Sequence, residues 1–393
     1  MSNISKVKTA VVGCGMISDI YIRNLSELFT ITDLVALSNR NLDKAKEKAA
    51  FHKIDKVMSI DEVAADPDIE LVVNLTPAPV HYDIIKKMLL AGKHVYTEKM
   101  FTTNIGEAKE LVRIAREKNL LIGVAPDTVL GAGTQTAKLA IDRDMIGKVT
   151  GGVVSINRNQ NLNSELFRFL QDDGGALPYD VGIYYIATLV TLLGPVKAIR
   201  AFAAPSITHE REYLYTDEEK DSWQIPGSNV VAASLEFESG PLVSLHINGN
   251  TINGEQNLIM LFGTNGIMKV GNPDSFNGKT EILLPENDWV TLPFTHGYDG
   301  VNKMSEPTFF DHYGSRGVGA AELAYSIRVG RTNRCSKEYG LHCMEVLTGI
   351  DIAAESGATY YPESRFEMSG LKPGYYSTTF NGFGRGDAER SLI

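Results

Sequence analysis

Along the first 125 residues, short apolar runs alternate with longer segments whose apolar positions recur every three to four residues. That is the pattern of parallel strands joined by crossover helices. Runs at 8–12, 33–37, 71–74, 94–96 and 121–124 predict the strands. Between two of them, residues 79–90 set Val80, Ile84 and Met88 at helical spacing and turn Lys86 and Lys87 toward water. Asn104 precedes a further helical stretch over 105–118 as an N-cap, with Glu107 three residues on as in a capping box. Because such crossovers are right-handed, the succession predicts a doubly wound sheet.

The rhythm changes near residue 126. Helices are predicted at 135–143 and from Pro178 onward, with a strand at 149–156 between them. After Pro195, runs at 196–203, 230–237, 242–248, 257–262, 267–270 and 281–284 alternate apolar and polar positions and are punctuated by Gly, Asn and Pro. They read as an antiparallel or mixed sheet. Helical periodicity returns at 317–330 and 337–356, and the rest reads as a tail that lies on a domain or is exchanged with a neighbour. The expected architecture is α/β, with one domain over 1–125 and a second over 126–393.

Composition narrows the class. Of the 393 residues 43% are hydrophobic and 22% charged, values that exclude bulk disorder and fibrous repeats. With 38 basic and 48 acidic residues the net charge is −10, which argues against nucleic acid as a partner. No apolar run has the length of a membrane helix, and the amino terminus enters a strand pattern at once, so no membrane association and a cytoplasmic location are expected. Three cysteines without a C-x-x-C, and eight histidines without ligand spacing, predict neither disulfides nor a metal site.

The strongest local signal is Gly13-Cys14-Gly15-Met16-Ile17-Ser18, directly after the first predicted strand and before a helical stretch. Gly13 permits a tight turn, Gly15 lets the backbone approach a pyrophosphate, and the helix start supplies free N–H groups. Ser18 stands in place of the third glycine. Gly13, Cys14, Gly15, Met16 and Ile17 are thus candidate dinucleotide contacts. At the end of the second strand, where an NAD site commonly has an acid, the chain has Ser38-Asn39-Arg40. Arg40 can pair with a 2′-phosphate, which favours NADP; alternatively Arg40 is solvated and Asn39 bonds the ribose of NAD.

Asn74, Thr76, Pro77 and His81 follow one strand, and Glu98 and Lys99 follow the next, at carboxyl ends where ligands bind in open α/β sheets. A partly desolvated Lys99 can hold a substrate hydroxyl or lose its proton near neutrality; as a plain Glu-Lys dipeptide it is a solvated pair. Asp180 and Tyr184, four residues apart on the predicted helix, share a face, so a carboxylate and a phenol project together. Read blandly, they are a helix N-terminal acid and a core tyrosine. Arg168, just before Gly174-Gly175, is expected to wall a pocket and touch substrate.

Taken together, GCGMIS, NLTPAPVH, AGKHVYTEKM, IDRDMIGKV and DGGALPYDVGIYYIATLVTLLGP resemble the glucose-fructose oxidoreductase and inositol dehydrogenase family, Gfo/Idh/MocA, over nearly the whole chain. The resemblance implies a Rossmann domain followed by an α/β domain with a largely antiparallel open sheet. That sheet would pack against a partner subunit in a homo-oligomer, dimer or tetramer. It implies hydride transfer between NAD or NADP and a secondary hydroxyl of a sugar-like substrate, whether sugar, polyol or glycoside. Lys99 takes the role of the family's Glu-Lys-Pro lysine, and Asp180 and Tyr184 that of its second catalytic pair, all three touching substrate. Met100 replaces the proline, which removes a rigid φ and lets Lys99 sit differently. Tyr184 stands where the inositol dehydrogenase branch has histidine, so the chain looks like the tyrosine branch and inositol is disfavoured as substrate. Two other readings stay open: redox-neutral glycoside cleavage by oxidation and elimination with a retained cofactor, and a non-catalytic nucleotide-binding regulator.

Overall fold

The computed structural model describes residues 4–210, 222–252, 257–300 and 314–373. The first half comprises β1 (Val7–Val12), α1 (Ser18–Arg23), β2 (Thr32–Ser38), α2 (Leu42–His52), β3 (Lys56–Val57) and α3 (Ile60–Ala65). It continues with β4 (Leu71–Asn74), α4 (His81–Leu90), β5 (His94–Thr97), α5 (Ile105–Glu117) and β6 (Ile122–Val124). Its six strands are all parallel, in the order β3-β2-β1-β4-β5-β6. Helices cover both faces, so β4 is buried at every residue and reads as an unbroken apolar run. The strand order reverses between β1 and β4, and the crevice of a doubly wound sheet opens there.

Two local expectations need correction. A 3-10 turn over Ala78–Val80 precedes α4 and breaks the 3.6-residue register, leaving Val80 exposed; the buried stripe is His81, Ile85, Met88 and Leu89. Asn104 does cap α5, accepting from the N–H groups of Gly106 and Glu107, but the reciprocal capping box forms at Ser59 and Glu62, at the start of α3.

The second half adds α6 (Ala132–Asp142), β7 (Val149–Asn157), α7 (Gln160–Leu166), α8 (Ile183–Leu193), β8 (Val196–Pro205), β9 (His209–Glu210) and β10 (Ser222–Trp223). Then come β11 (Ser228–Phe237), β12 (Leu242–Asn248), β13 (Leu258–Gly263), β14 (Gly266–Val270), β15 (Glu281–Leu283), β16 (Val290–Thr291), α9 (Val318–Val329) and α10 (Lys337–Ser356). An eight-stranded sheet runs β16-β15-β14-β13-β7-β12-β11-β8, antiparallel except for the central β7–β12 pair. Its inner positions, among them Val154, Leu235 and Ile247, are buried, whereas Phe202 and Leu242 on the other face are 83% and 63% exposed. That one-sided burial produces the alternation seen in the sequence. Helix α8 is buried along its entire length, as a helix that is apolar all round should be.

The C-terminal helices return to the first sheet. Helix α9 packs on β5 and β6, and the segment before α10 covers the edge of β6, where the Val124 N–H donates to the Cys335 carbonyl at 2.9 Å. The tail expected after residue 356 is described only to residue 373; its remainder lies outside the described residues. Among the described residues no helix is long and apolar enough to cross a membrane.

Candidate active site

The turn after β1 is tied to the end of β2. Gly13, at φ +103°, donates its N–H to the Ser38 carbonyl at 2.8 Å, and a Cβ there would lie 2.7 Å from the Leu75 carbonyl carbon. Only glycine fits. The Cys14 N–H donates to Asn39 Oδ1 at 3.2 Å, and burial pushes the Cys14 thiol up to about 11, so it stays protonated. A Cβ on Gly15 would meet nothing within 4 Å, so the space above the turn is open. Ser18 is fully buried, and its hydroxyl donates to the Gly15 carbonyl at 2.6 Å, filling the place of the third glycine. No side chain caps α1, with Ile17 at its N-cap, and Met16 is exposed beside it. Asp19 would repel an anion here, but Lys48 at 2.5 Å neutralises it, and His52 Nε2 lies 2.9 Å from its other carboxylate oxygen. Although burial raises its pKa, these partners bring the carboxyl below its usual value.

At the end of β2, Ser38 is buried and Asn39 is used twice by the backbone, its Nδ2 donating to the Asn41 carbonyl at 2.9 Å. Arg40 is exposed and makes no hydrogen bond or ion pair among the described residues. At the ends of β4 and β5, buried Asn74 donates to Thr97 Oγ1 at 3.2 Å and accepts from the Thr76 hydroxyl at 2.7 Å, while Pro77 is exposed. His81 is fully buried, with its ring nitrogens 2.6 Å from the Met100 carbonyl and 2.7 Å from the Thr76 carbonyl. Burial lowers its pKa against the pull of those carbonyls, and with both nitrogens on backbone it braces the two strand ends from behind.

Glu98 accepts from the Tyr21 hydroxyl of α1 at 2.6 Å and from the Lys99 N–H at 3.0 Å, and the Lys99–Met100 peptide is cis. The Lys99 ammonium donates to Asp180 Oδ1 at 2.6 Å and to the Asp180 carbonyl at 2.8 Å. It lies 5.7 Å from the centroid of the Tyr184 ring. With side chains 20% and 10% exposed, Lys99 and Asp180 are not a solvated surface pair. The helix expected from Pro178 begins as a π-helical turn, Pro178–Gly182, and α8 starts only at Ile183. Asp180 and Tyr184 nevertheless both face Lys99. Burial alone would raise the Asp180 carboxyl; Lys99, Arg158 and Gln160 outweigh it and hold it below the usual range. Arg168 is exposed in a 3-10 turn beyond α7.

Several residues of this cluster went unread in the sequence. The parallel β7–β12 pair continues past its ends, with the Gln160 N–H donating to the Gly249 carbonyl at 2.9 Å. It thereby delivers Arg158 Nη1 to 3.5 Å and Gln160 Nε2 to 3.1 Å from Asp180 Oδ2. Gln160 Oε1 is buried without a hydrogen-bond partner. Asn229 of β11 holds the incoming loop by accepting the Leu177 N–H at 3.0 Å. The polar run 157–161 at a strand's carboxyl end was the available signal for the first two. Buried Arg316, 5.9 Å from the Tyr184 centroid and 3.3 Å from buried Asp127, had none.

A six-stranded parallel sheet in this order, with a glycine turn at its switch point, defines the class of dinucleotide-binding folds. Residues 7–125 match the model described as oxidoreductase family, NAD-binding Rossmann fold, and residues 134–269 match the GFO/IDH/MocA C-terminal domain. The chain belongs to the Gfo/Idh/MocA oxidoreductase family. It is 33% identical over 205 residues to an uncharacterised oxidoreductase of Schizosaccharomyces pombe, covering 50% of this chain and only 54% of that one, about half the relative's length. It is 25% identical over 376 residues to scyllo-inositol 2-dehydrogenase (NADP(+)) of Bacillus subtilis, covering 90% and 94% of the two chains. Levoglucosan dehydrogenase in complex with NADH and levoglucosan shares the fold, with a TM-score of 0.75 at 17% identity over 91% of this chain and 100% of that one.

Proposed function

We propose that the protein is an NAD(P)-dependent oxidoreductase acting on a secondary hydroxyl of a sugar, polyol or glycoside. The observation that carries this reading is the meeting of Lys99 with Asp180 and Tyr184 beyond the carboxyl end of β5. The nucleotide fits the chain: the space above Gly15 is open, α1 is uncapped, and Asp19 is neutralised. Gly13 to Ile17 would hold the diphosphate, and Ser38, Asn39 and Arg40 the adenosine ribose. Asn74, Thr76, Pro77 and Glu98 would border the nicotinamide, with His81 acting through the backbone it braces. When bound, nicotinamide supplies the acceptor or donor of the hydride.

The residues of the chain supply the proton chemistry. As the substrate carbon loses hydride, its C–O bond becomes a carbonyl and the hydroxyl proton must leave; the Tyr184 phenolate takes it on Oη and becomes the neutral phenol, while the Lys99 ammonium holds the substrate oxygen. In the reverse direction Tyr184 returns the proton. Asp180 holds Lys99 in place, and Arg168 borders the pocket mouth. The test is a screen of sugars, polyols, glycosides and diols with NAD and NADP in parallel, following nicotinamide absorbance. Absorbance change with at least one of these alcohols is expected, and none with any of them would refute the reading. Sugar released from a glycoside without net absorbance change would instead identify redox-neutral cleavage.

NADP is the proposed cofactor. Arg40 is free to meet a 2′-phosphate, and the B. subtilis relative carries NADP(+) in its name. Losing a charge-assisted guanidinium–phosphate bond costs about 1.5–3 kcal/mol, so Arg40→Ala should weaken NADPH binding roughly tenfold or more. NADH binding should barely change, as fluorescence titration would show; an equal loss for both nucleotides would count against the assignment. The three cysteines are free and buried, which suits the reducing cytosol proposed as its location. The exposed sheet face, with a shallow hollow of about 590 Å³ lined by Phe202, Ala232 and His246, supports association of two or four copies. Light scattering should give a multiple of the chain mass, and a monomer at micromolar concentration would exclude it.

A further inference from the structure

Arg316 is 2% exposed, yet nothing in the proton transfer proposed above uses it. Its Nη1 lies 3.3 Å from Asp127 Oδ1 and its Nη2 4.0 Å from Asp274, and its Cζ is 5.9 Å from the Tyr184 ring centroid. Asp127 is anchored in turn, since its Oδ2 accepts the N–H groups of Gly317 at 2.7 Å and Gly319 at 3.3 Å at the start of α9. The Arg316 carbonyl accepts from Asn24 Nδ2 at 2.7 Å, in the turn that continues α1. The Arg316 backbone is therefore tied to the turn that continues α1, and its guanidinium to Asp127, which the start of α9 anchors.

A buried guanidinium persists only when its neighbours compensate it. Burial would strip its proton, but Tyr184, Asp127, Glu98 and Tyr21 together hold the proton on far more firmly than usual. Tyr184 thus has two cations near its ring, Lys99 at 5.7 Å and Arg316 at 5.9 Å. Lys99 is largely committed to Asp180 and to substrate. Arg316 does not titrate in the working range.

We propose that Arg316 is a positioning residue for Tyr184, seating the phenol ring and stabilising negative charge on its oxygen while it exchanges a proton with substrate. This inference rests on the acid–base reading of Tyr184. The cations at the Tyr184 ring are Lys99, paired with Asp180, and Arg316, paired with Asp127 and Asp274 and influenced by Glu98. Of these, the Arg316–Asp127 pair can be altered without touching the groups that meet substrate.

The experiment is an ultraviolet difference titration of the Tyr184 phenolate, taken as the protein minus its Tyr184→Phe variant, without substrate. The double variant Arg316→Met with Asp127→Asn removes the buried pair together, and the phenolate midpoint should rise by about one pH unit, because the cation facing the ring is lost while the anion behind it partly offsets the change. In Asp127→Asn alone, Arg316 loses its nearest compensating charge and the midpoint should fall. Opposite shifts are the expected result, since general loosening of the fold would move both in one direction. The rising limb of kcat against pH for alcohol oxidation should follow the same two directions. No shift in either variant, or shifts of the same sign, overturns the proposal. If the double variant does not fold, Asp127→Asn decides alone, and an unchanged or higher midpoint is the refuting outcome. Full turnover by Tyr184→Phe would overturn the acid–base reading, while the titration would still report whether Arg316 governs the phenol.

Discussion

Tyr184→Phe is expected to lower kcat by about a hundredfold or more while leaving cofactor affinity nearly unchanged. The substitution removes one oxygen from a buried ring and leaves its packing in place, so a folding defect should not obscure the result. Lys99→Met should cost at least as much, for a different reason. It removes the donor proposed to hold the substrate oxygen and leaves Asp180, whose side chain is 10% exposed, with only Arg158 and Gln160. Burial would then push that carboxyl up, and the variant should lose about 3–5 kcal/mol of stability as well, the usual cost of breaking a buried pair. Stopped-time turnover, nucleotide titration and thermal melting separate the two effects. Parent-like rates in both variants would remove the cluster from the chemistry.

A second large effect should come from Gly13→Ala. The residue sits at φ +103°, and an added methyl would lie 2.7 Å from the Leu75 carbonyl carbon and 2.8 Å from the Thr76 nitrogen. Both neighbours are backbone at the switch point of the sheet, where the Leu75 N–H donates to the Val12 carbonyl at 2.8 Å. Relief requires parting β1 from β4, so a stability loss of about 2–4 kcal/mol is expected together with loss of nucleotide binding. Gly15→Ala is the matched control, because its methyl meets nothing within 4 Å. Its stability should stay within about 0.5 kcal/mol of the parent while nucleotide affinity falls, since the methyl enters the space a diphosphate would occupy. Denaturant unfolding and nucleotide titration of the two variants check this; equal stabilities would refute the steric account.

What could be read from the sequence was what is local. The parallel strands were visible because strands buried on two faces carry unbroken apolar runs, and the second sheet because one open face makes polar positions alternate. Elements such as β3, two residues long, and α3, six, are too short to show a period. The π-helical turn at Asp180 was invisible because its residues differ little from those of an α-helix. In the candidate site, Lys99, Asp180 and Tyr184 stood out through motif and spacing. Arg316 and Asp127 did not, because their partnership spans 189 residues and neither lies in a patterned segment. Asn229 and Gln160 were missed because a buried amide that holds backbone looks, in sequence, like any polar residue near a strand end.

Helix α10 belongs to both halves of the molecule. On one side Gly340 lies against Val124 of β6 and Arg116 of α5 pairs with Glu338; on the other, His342 accepts the Val196 N–H at the start of β8 and the Tyr339 hydroxyl donates to the Ala187 carbonyl of α8. A single rigid rod riveted to two sheets resists any hinge that would swing them apart. A nucleotide is therefore expected to enter and leave by yielding of the rim segments around the crevice, with the two halves keeping a common frame.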